Sequence, residues 1–264
     1  MIDTHTHLDD ERFTNREEII RRFEADGVEL AINHSCSFKT MHAGLELARN
    51  HKRMFCTVGC HPEDAATYDT AFEAEMEKLH SEAKVLAVGE IGLDYYYGTD
   101  NKDVQKDVFV AQLELADRWN LPVNIHLRDA YGDMADILKA RKHLLHRGGI
   151  LHCYSGSAEF AEEMMKLGFY VAFGGAVTFK NAKKADVVKA VPLERVLTET
   201  DGPYLAPEPV RGTVNEPKNV RYVLKKLAEI YGIPTERLEE QVQNNVYTLF
   251  EKLRPFRTEL ELRK

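Results

Sequence analysis

The sequence predicts an α/β fold: a single (β/α)8 TIM barrel with a C-terminal helix covering one end. Three observations carry that prediction. Short aliphatic or β-branched runs alternate with stretches of helical spacing from one end of the chain to the other, the pattern of stacked βα units around a parallel sheet. Eight segments read as strands, which is the number that closes such a barrel. The 264 residues match the roughly 250 that one barrel uses. With no repeat beyond the βα rhythm and no Pro-, Gly- or Ser-rich linker, residues 1–264 are expected to form one domain.

In chain order the strands are expected at Met1–His7, Leu30–Ser35, Met54–His61, Val85–Leu93, Pro122–Arg128, Gly149–Ser155, Tyr170–Thr178 and Val196–Asp201. On the fifth, alternation places Val123, Ile125 and Leu127 on a face suited to helix packing. Asn124, His126 and Arg128 fall on the other face. Between strands, apolar residues recur at helical intervals. Phe72, Met76, Leu79 and Ala83 form one face after the third strand, Val104, Val108, Leu115 and Trp119 after the fourth, and Val220, Leu224, Leu227 and Tyr231 after the eighth. A last helix carries Leu238, Val242, Val246, Leu249 and Phe250. It starts at Pro234-Thr235, with Glu236 suiting the positive end of the helix dipole, and is the one expected to cover a barrel end. The charged tail Arg254–Lys264 is expected to be loose or a short helix.

At 44% hydrophobic and 30% charged residues, the composition is that of a globular domain and disfavours disorder, collagen and coiled coil. The longest mostly apolar stretch, Phe169–Val177, is far short of the roughly 18 residues of a membrane span. The opening MIDTHTHLDD is polar by its third residue, so no secretory signal is expected and a cytoplasmic location is. Cys36, Cys56, Cys60 and Cys153 form no CxxC pair and read as reduced, mostly packed thiols. A net charge of −8 argues against a broad basic surface for nucleic acid. It leaves room for a local rim built from Arg128, Lys180, Lys183, Lys184, Arg211 and Lys218, most of which read as solvated surface charges.

In a βα barrel the active site lies where the strands end, so polar residues there carry most of the functional information. The first strand ends Asp3-Thr4-His5-Thr6-His7, and alternation points both histidines the same way. Glu90 ends the fourth strand, His126 the fifth, His152 the sixth, and Glu199 and Asp201 the eighth. A single strand histidine is usually only a hydrogen-bonded residue, and His34, His42, His51, His80, His143 and His146 keep that reading. The joint placement of His5, His7, Glu90, His126, His152 and Asp201 at one barrel mouth points instead to metal ligation. Six ligands exceed what one catalytic ion needs and suit two divalent ions about 3.5–4 Å apart, with Glu90 as the bridge. Two ions can bring a shared water towards a neutral pKa and hold a substrate oxygen, which makes hydrolysis the natural reaction. Four imidazoles against two acids lean towards zinc or manganese.

The segments DTHTHLD, GCHPED, GEIGLDYYY, LPVNIHLRDA, LHCYSGS, TETDGPYLAP and NNVYTLF, in that order and across nearly the whole chain, resemble those of the TatD family of metal-dependent deoxyribonucleases. The resemblance implies ligation of divalent metal by the same six residues, with magnesium joining zinc and manganese as a possible ion. It also implies that His61, in GCHP, sits behind the ligands or touches substrate; a plain loop histidine is the alternative. Glu90 stands where some amidohydrolase relatives carry a modified lysine, so a carboxylated-lysine mechanism is disfavoured. One departure stands out. The family's loop after the eighth strand tends to read Arg-Gly-Lys-x-Asn, whereas here it reads Arg211-Gly212-Thr213-Val214-Asn215. If that lysine touches a phosphate backbone, its absence weakens the nuclease assignment or points to a smaller substrate, although Arg211 keeps a positive charge in the loop.

The expected function is therefore an exonuclease-type phosphodiester hydrolase acting on nucleic acid, preferably single-stranded DNA, through metal-activated water. Asp201 is the expected proton acceptor, and Glu199 either assists it or holds a backbone group. Arg128 is expected to contact phosphate or to pair with Asp129 or a neighbouring acid on the rim. Tyr95, Tyr96 and Tyr97 either stack on bases or pack the loop. The alternative function is an amide or ester hydrolase, such as an aminoacyl-tRNA deacylase, built on the same residues.

Overall fold

A computed structural model describes residues 1–262. Eight parallel strands follow one another around one sheet in chain order. They are β1 (Ile2–Thr6), β2 (Leu30–Asn33), β3 (Met54–Val58), β4 (Val85–Asp94), β5 (Val123–Arg128), β6 (Gly149–Leu151), β7 (Phe169–Phe173) and β8 (Val196–Thr198). The strands are buried on both faces, as a parallel sheet wrapped by helices requires, except at the end of β5, where burial falls off from His126 to the exposed Arg128. After each strand in turn come α1 (Arg16–Arg21), α2 (Phe38–Asn50), α3 (Thr70–Leu79), α4 (Lys102–Arg118), α5 (Tyr131–Ala140), α6 (Ala158–Met165), α7 (Ala185–Ala190) and α8 (Val220–Tyr231). Local chemistry sets several of their starts: Ser37 and Thr40 form a capping box on α2, and the Asp69 carboxylate accepts the Ala71 and Phe72 amides at the head of α3.

The barrel closes where β1 meets β8, and side chains do much of the closing. Besides a backbone bridge between Thr6 and Gly202, Thr4 Oγ1 donates to the Thr198 carbonyl at 3.1 Å and Thr198 Oγ1 to the Ile2 carbonyl at 3.2 Å. The buried Asp3 carboxylate accepts from the Thr200 amide at 2.8 Å and from Thr200 Oγ1 at 2.6 Å. Backbone bonds then run from Asp201 to the His5 carbonyl at 2.9 Å and from His7 to the Gly202 carbonyl at 2.7 Å. This seam sets the first-strand histidines beside the loop that follows β8.

The last helices, α9 (Thr235–Leu249) and α10 (Arg254–Glu261), come after the barrel units. Asn245 Nδ2 donates to the Leu193 and Val196 carbonyls at 2.7 and 2.8 Å, at the beginning of β8, and Glu239 holds the N-terminal amine at 2.7 Å. Thus α9 covers the end where strands begin and leaves the opposite end to the loops. α10 realises the short helix expected of the tail, whose final two residues lie outside the described ones.

Several strand ends and two helix faces need correction, beginning with the third strand, which stops at Val58 rather than at His61. The sixth and eighth strands stop at Leu151 and Thr198 rather than at Ser155 and Asp201, because Cys153 (φ 44°) and Asp201 (φ 55°) adopt left-handed backbone that no strand accommodates. The seventh stops at Phe173, and Gly175–Thr178 turns into a short 3₁₀ helix. On the helices, Ala83 lies beyond α3 and is exposed, and Val104 is 45% exposed. The buried face of α4 instead carries Gln105 and Gln112. Their amides are spent on backbone, Gln105 on the Asp94 N–H and C=O at the end of β4 and Gln112 on the Cys60 N–H and C=O at 2.7 and 3.1 Å, so hydrophobic spacing could not reveal them.

At the base, Lys252 Nζ donates to the carbonyls of His80, Glu82 and Val85 at 2.7, 3.1 and 2.9 Å, fastening the α3–β4 connection. Lys252→Met strips three carbonyls of a charged donor and is expected to cost about 2–3 kcal/mol, read as a lower urea midpoint with unchanged activity. An unchanged midpoint would mean water replaces the ammonium there at no cost. Among the described residues no helix is long and apolar enough to cross a membrane, and all four cysteines are free.

Candidate metal centre

Strand ends bring together all six residues singled out by the sequence. His5 lies within β1 and His7 just beyond it, Glu90 within β4, His126 within β5, His152 one residue past β6, and Asp201 in the loop after β8. Two glycines let β4 approach β5 closely enough for this. A Cβ on Gly89 would stand 2.7 Å from Asn124 Cβ, and one on Gly92, whose φ is +147°, would stand 1.9 Å from the His126 carbonyl oxygen.

The donor atoms fall into two sets that share Glu90. In the first, His5 Nε2 and His7 Nε2 are 3.1 Å apart. Glu90 Oε2 lies 3.2 and 3.6 Å from them, and Asp201 Oδ1 lies 3.8 and 3.6 Å away. In the second, Glu90 Oε1 is 2.8 Å from His152 Nε2 and 2.9 Å from His126 Nδ1, and those two nitrogens are 3.4 Å apart. Four donors placed tetrahedrally about 2.1 Å from one ion stand about 3.4 Å from each other, so the first set and the His126–His152 pair have the spacing of a coordination shell, while Glu90 Oε1 sits at hydrogen-bond distance from both of those nitrogens. Imidazole nitrogen mixed with carboxylate oxygen is also the donor chemistry that divalent transition ions take. The donor atoms of His5, His7 and Glu90, of His61, Glu90 and His126, and of His5, His152 and Asp201 form three groups that could each hold an ion.

The electrostatics are those of a carboxylate caged by imidazoles. Burial alone would raise the Glu90 carboxyl, yet His152, His5 and His61 outweigh it and hold it well below its usual range. Burial, with His152 and His34 beside it, pushes His5 well below the ordinary histidine value, leaving its ring nitrogen free to act as a ligand. For His152 burial acts downward as well, but Glu90 and Glu199 lift it well above. His126 is raised against its burial by Asp94 and Glu90.

The remaining expected residues divide. His61 Nε2 comes to 3.5 Å from Glu90 Oε1, its ring edge-on to His126, while its Nδ1 accepts the Glu63 amide at 3.2 Å. It therefore stands at the cluster and is not a plain loop histidine. Glu199 is fully buried, with Oε1 accepting the Cys153 amide at 2.5 Å and lying 3.6 Å from His152 Nδ1, so it holds backbone and faces a histidine from behind. Arg128 stacks its guanidinium 3.4 Å over the Tyr96 ring instead of pairing with Asp129, and Arg211 lies 4.0 Å over Phe179. Of the tyrosines, Tyr95 packs the loop with its hydroxyl on Asp133 at 2.7 Å, whereas Tyr96 and Tyr97 are exposed. Lys218 is taken up by Glu216 at 2.7 Å, and Lys184 donates to the Ser155 carbonyl at 2.5 Å. Lys180 and Lys183 remain exposed.

Sequence reasoning missed two neighbours of the cluster. His34, given the bland reading, stacks parallel on His5 with ring centroids 4.0 Å apart and bonds the Thr4 carbonyl through Nε2. Asp94 sets Oδ2 2.8 Å from His126 Nε2. Strand alternation applied to β4 would have placed Asp94, four residues on from Glu90, upon the same face.

Comparison with known proteins bears on this arrangement. A family model described as TatD related DNase matches residues 2–251. An uncharacterized metal-dependent hydrolase of Bacillus subtilis, YabD, is 42% identical over 252 residues, covering 95% of this chain and 98% of its own. One from Escherichia coli, YcfH, is 34% identical over 256 residues, covering 95% of each. The crystal structure of YJJV, a TatD homolog from Escherichia coli, is similar with a TM-score of 0.88 at 32% identity, over 95% of this chain and 98% of that one.

Proposed function

The chain belongs to the TatD family of metal-dependent hydrolases, and we propose that within it this protein is an exonuclease-type phosphodiester hydrolase of single-stranded DNA, its 264 residues forming one catalytic domain. The observation that carries the reading is the division of Glu90, one oxygen to each donor set. His5, His7, Glu90 and Asp201 would hold one divalent ion, and Glu90, His126 and His152 a second, of zinc, manganese or magnesium. Such ions supply Lewis-acid charge for a phosphate oxygen and acidify water.

The protein's own groups do the rest. Asp201 is the proton acceptor: its side chain is 14% exposed at the mouth, against 4% for Glu90 and 0% for Glu199, so it is the acid that reaches substrate and solvent. His61, whose Nδ1 already accepts a backbone N–H, offers an Nε2 proton towards the cluster. Arginines stacked on aromatic rings surround the mouth. Arg128 over Tyr96 and Arg211 over Phe179 supply two of them, and Arg12, 4.1 Å over a Tyr204 ring that stands edge-on to His7, is already held by both oxygens of Asp10 at 2.8 and 2.7 Å. Guanidinium groups for phosphates beside exposed rings for bases are what a single strand requires.

The reading is tested with short single-stranded DNA labelled at either end, incubated with metal-stripped protein given magnesium, manganese or zinc in turn. Mononucleotides are expected only with metal, and none from Asp201→Asn. Intact DNA with all three ions would overturn the nuclease reading in favour of an ester or amide substrate. On the same substrate Arg128→Ala is expected to raise KM on the order of tenfold with kcat little changed. A lowered kcat at constant KM would move Arg128 from binding into the chemical step.

A further inference from the structure

We propose that Asp94 is a positioning residue which fixes the His126 ring so that Nδ1, and not Nε2, is presented to the second donor set. The inference rests on the reading above, that this cluster holds divalent ions. His126 has two ring nitrogens and each has a carboxylate at hydrogen-bond distance: Nδ1 is 2.9 Å from Glu90 Oε1, and Nε2 is 2.8 Å from Asp94 Oδ2. A ring that donates Nε2–H to Asp94 offers its lone pair at Nδ1, and a carboxylate partner makes that lone pair more basic.

Asp94 is itself held rigidly. It ends β4, is 4% exposed, and its other oxygen accepts the Tyr96 amide at 2.9 Å. The buried Gln105 amide grips the Asp94 N–H and C=O, each at 2.9 Å, and is braced in turn by Asn101 Oδ1 at 3.0 Å. Turning the carboxylate away from His126 would break its bond to the Tyr96 amide, and the Gln105 clamp fixes the backbone from which it projects. The other three histidines of the two sets have no such support. His7 Nδ1 meets a backbone carbonyl, that of His34, at 3.1 Å; His152 Nδ1 is 3.6 Å from Glu199; and His5 Nδ1 has no partner among the described residues. His126 is thus the one donor whose far side is bonded to a carboxylate, and the second set is the one Asp94 controls.

The test is calorimetric titration of zinc or manganese into metal-stripped protein, wild type against Asp94→Asn and Asp94→Ala, with thermal melting alongside. Nitrogen-15 NMR of the zinc-loaded and metal-free proteins reports which His126 nitrogen bears the proton. Wild type is expected to take two classes of ion. Asp94→Ala should weaken one of them by about 10–100-fold and leave the other within about twofold, and Asp94→Asn, whose amide oxygen still accepts Nε2–H without charge, should fall between. Both affinities within twofold of wild type in a folded Asp94→Ala, or a zinc-loaded wild-type His126 protonated at Nδ1, would overturn the proposal. If Asp94→Ala does not fold, the isosteric Asn variant carries the titration. If wild type binds no divalent ion, the proposed function fails instead; the Nε2 proton of His126 in metal-free protein, present in wild type and altered in Asp94→Asn, still decides the pairing.

Discussion

On the proposed two-ion reading, Glu90→Gln is expected to lower phosphodiester hydrolysis by at least about 10³-fold and to cut bound divalent ion from about two per chain to about one or fewer. The change is nearly isosteric, so what is removed is charge and one acceptor oxygen. Each Glu90 oxygen faces different histidines, Oε2 towards His5 and His7, Oε1 towards His126 and His152. An amide must turn its NH2 group towards one of those sets, where it points protons at nitrogens that need an electron-poor partner. The carboxylate is also what draws protons onto His152 against the effect of burial. Without it the rings can shed those protons, so the barrel is expected to survive, with a melting temperature within a few degrees of wild type. Ion content by atomic emission and turnover on labelled DNA check the two halves separately. A Gln variant that retains both ions would show that Glu90 is not shared between the sets.

Gly92→Ala is expected to be the most damaging single methyl in the molecule, costing about 4 kcal/mol or more and leaving little soluble protein. At φ +147° an L side chain is strained whatever space surrounds it, and here the new carbon would stand 1.9 Å from the His126 carbonyl oxygen. Backbone oxygen cannot swing aside as a side chain can, so β4 would have to leave β5 and take Glu90 away from His126. Gly132→Ala is the control. It lies within α5, meets nothing within 4 Å, and should instead gain about 0.5–1 kcal/mol from helix propensity. Chemical denaturation of both variants compares them directly; equal midpoints would mean that β4 relaxes at Gly92 without penalty.

The barrel was legible because its signals are repetitive. Alternating apolar runs and helical spacing are independent of long-range detail, and the order β1 to β8 follows once each strand is paired with the next. His5, His7, Glu90, His126, His152 and Asp201 could be gathered from strand ends alone because a barrel sends all eight to one mouth. What spacing could not reveal was polar chemistry turned inward. Gln105 and Gln112 break the hydrophobic stripe of α4 yet are buried, since each supplies missing backbone partners, Gln105 at the end of β4 and Gln112 in the loop after β3. Cys153 and Asp201 end their strands early through left-handed backbone, which neither residue type announces. His34 looked like any other core histidine until its ring was found against His5.

The β1–β8 seam ties assembly of the site to the order in which the chain is made. His5 and Asp201 are 196 positions apart in sequence, yet they are joined by a backbone bond and by donor atoms 3.8 Å apart. At about 5–20 residues per second, roughly 10–40 s separate their appearance during synthesis. Through that interval β1 has no β8 to pair with, and the first donor set lacks its acid. A nascent chain therefore holds histidines and Glu90 without Asp201, and hydrolytic competence arrives as the ring shuts, late and in one step. Contacts of such long range are also the slowest to form in folding, so refolded protein should regain helical signal before it regains activity.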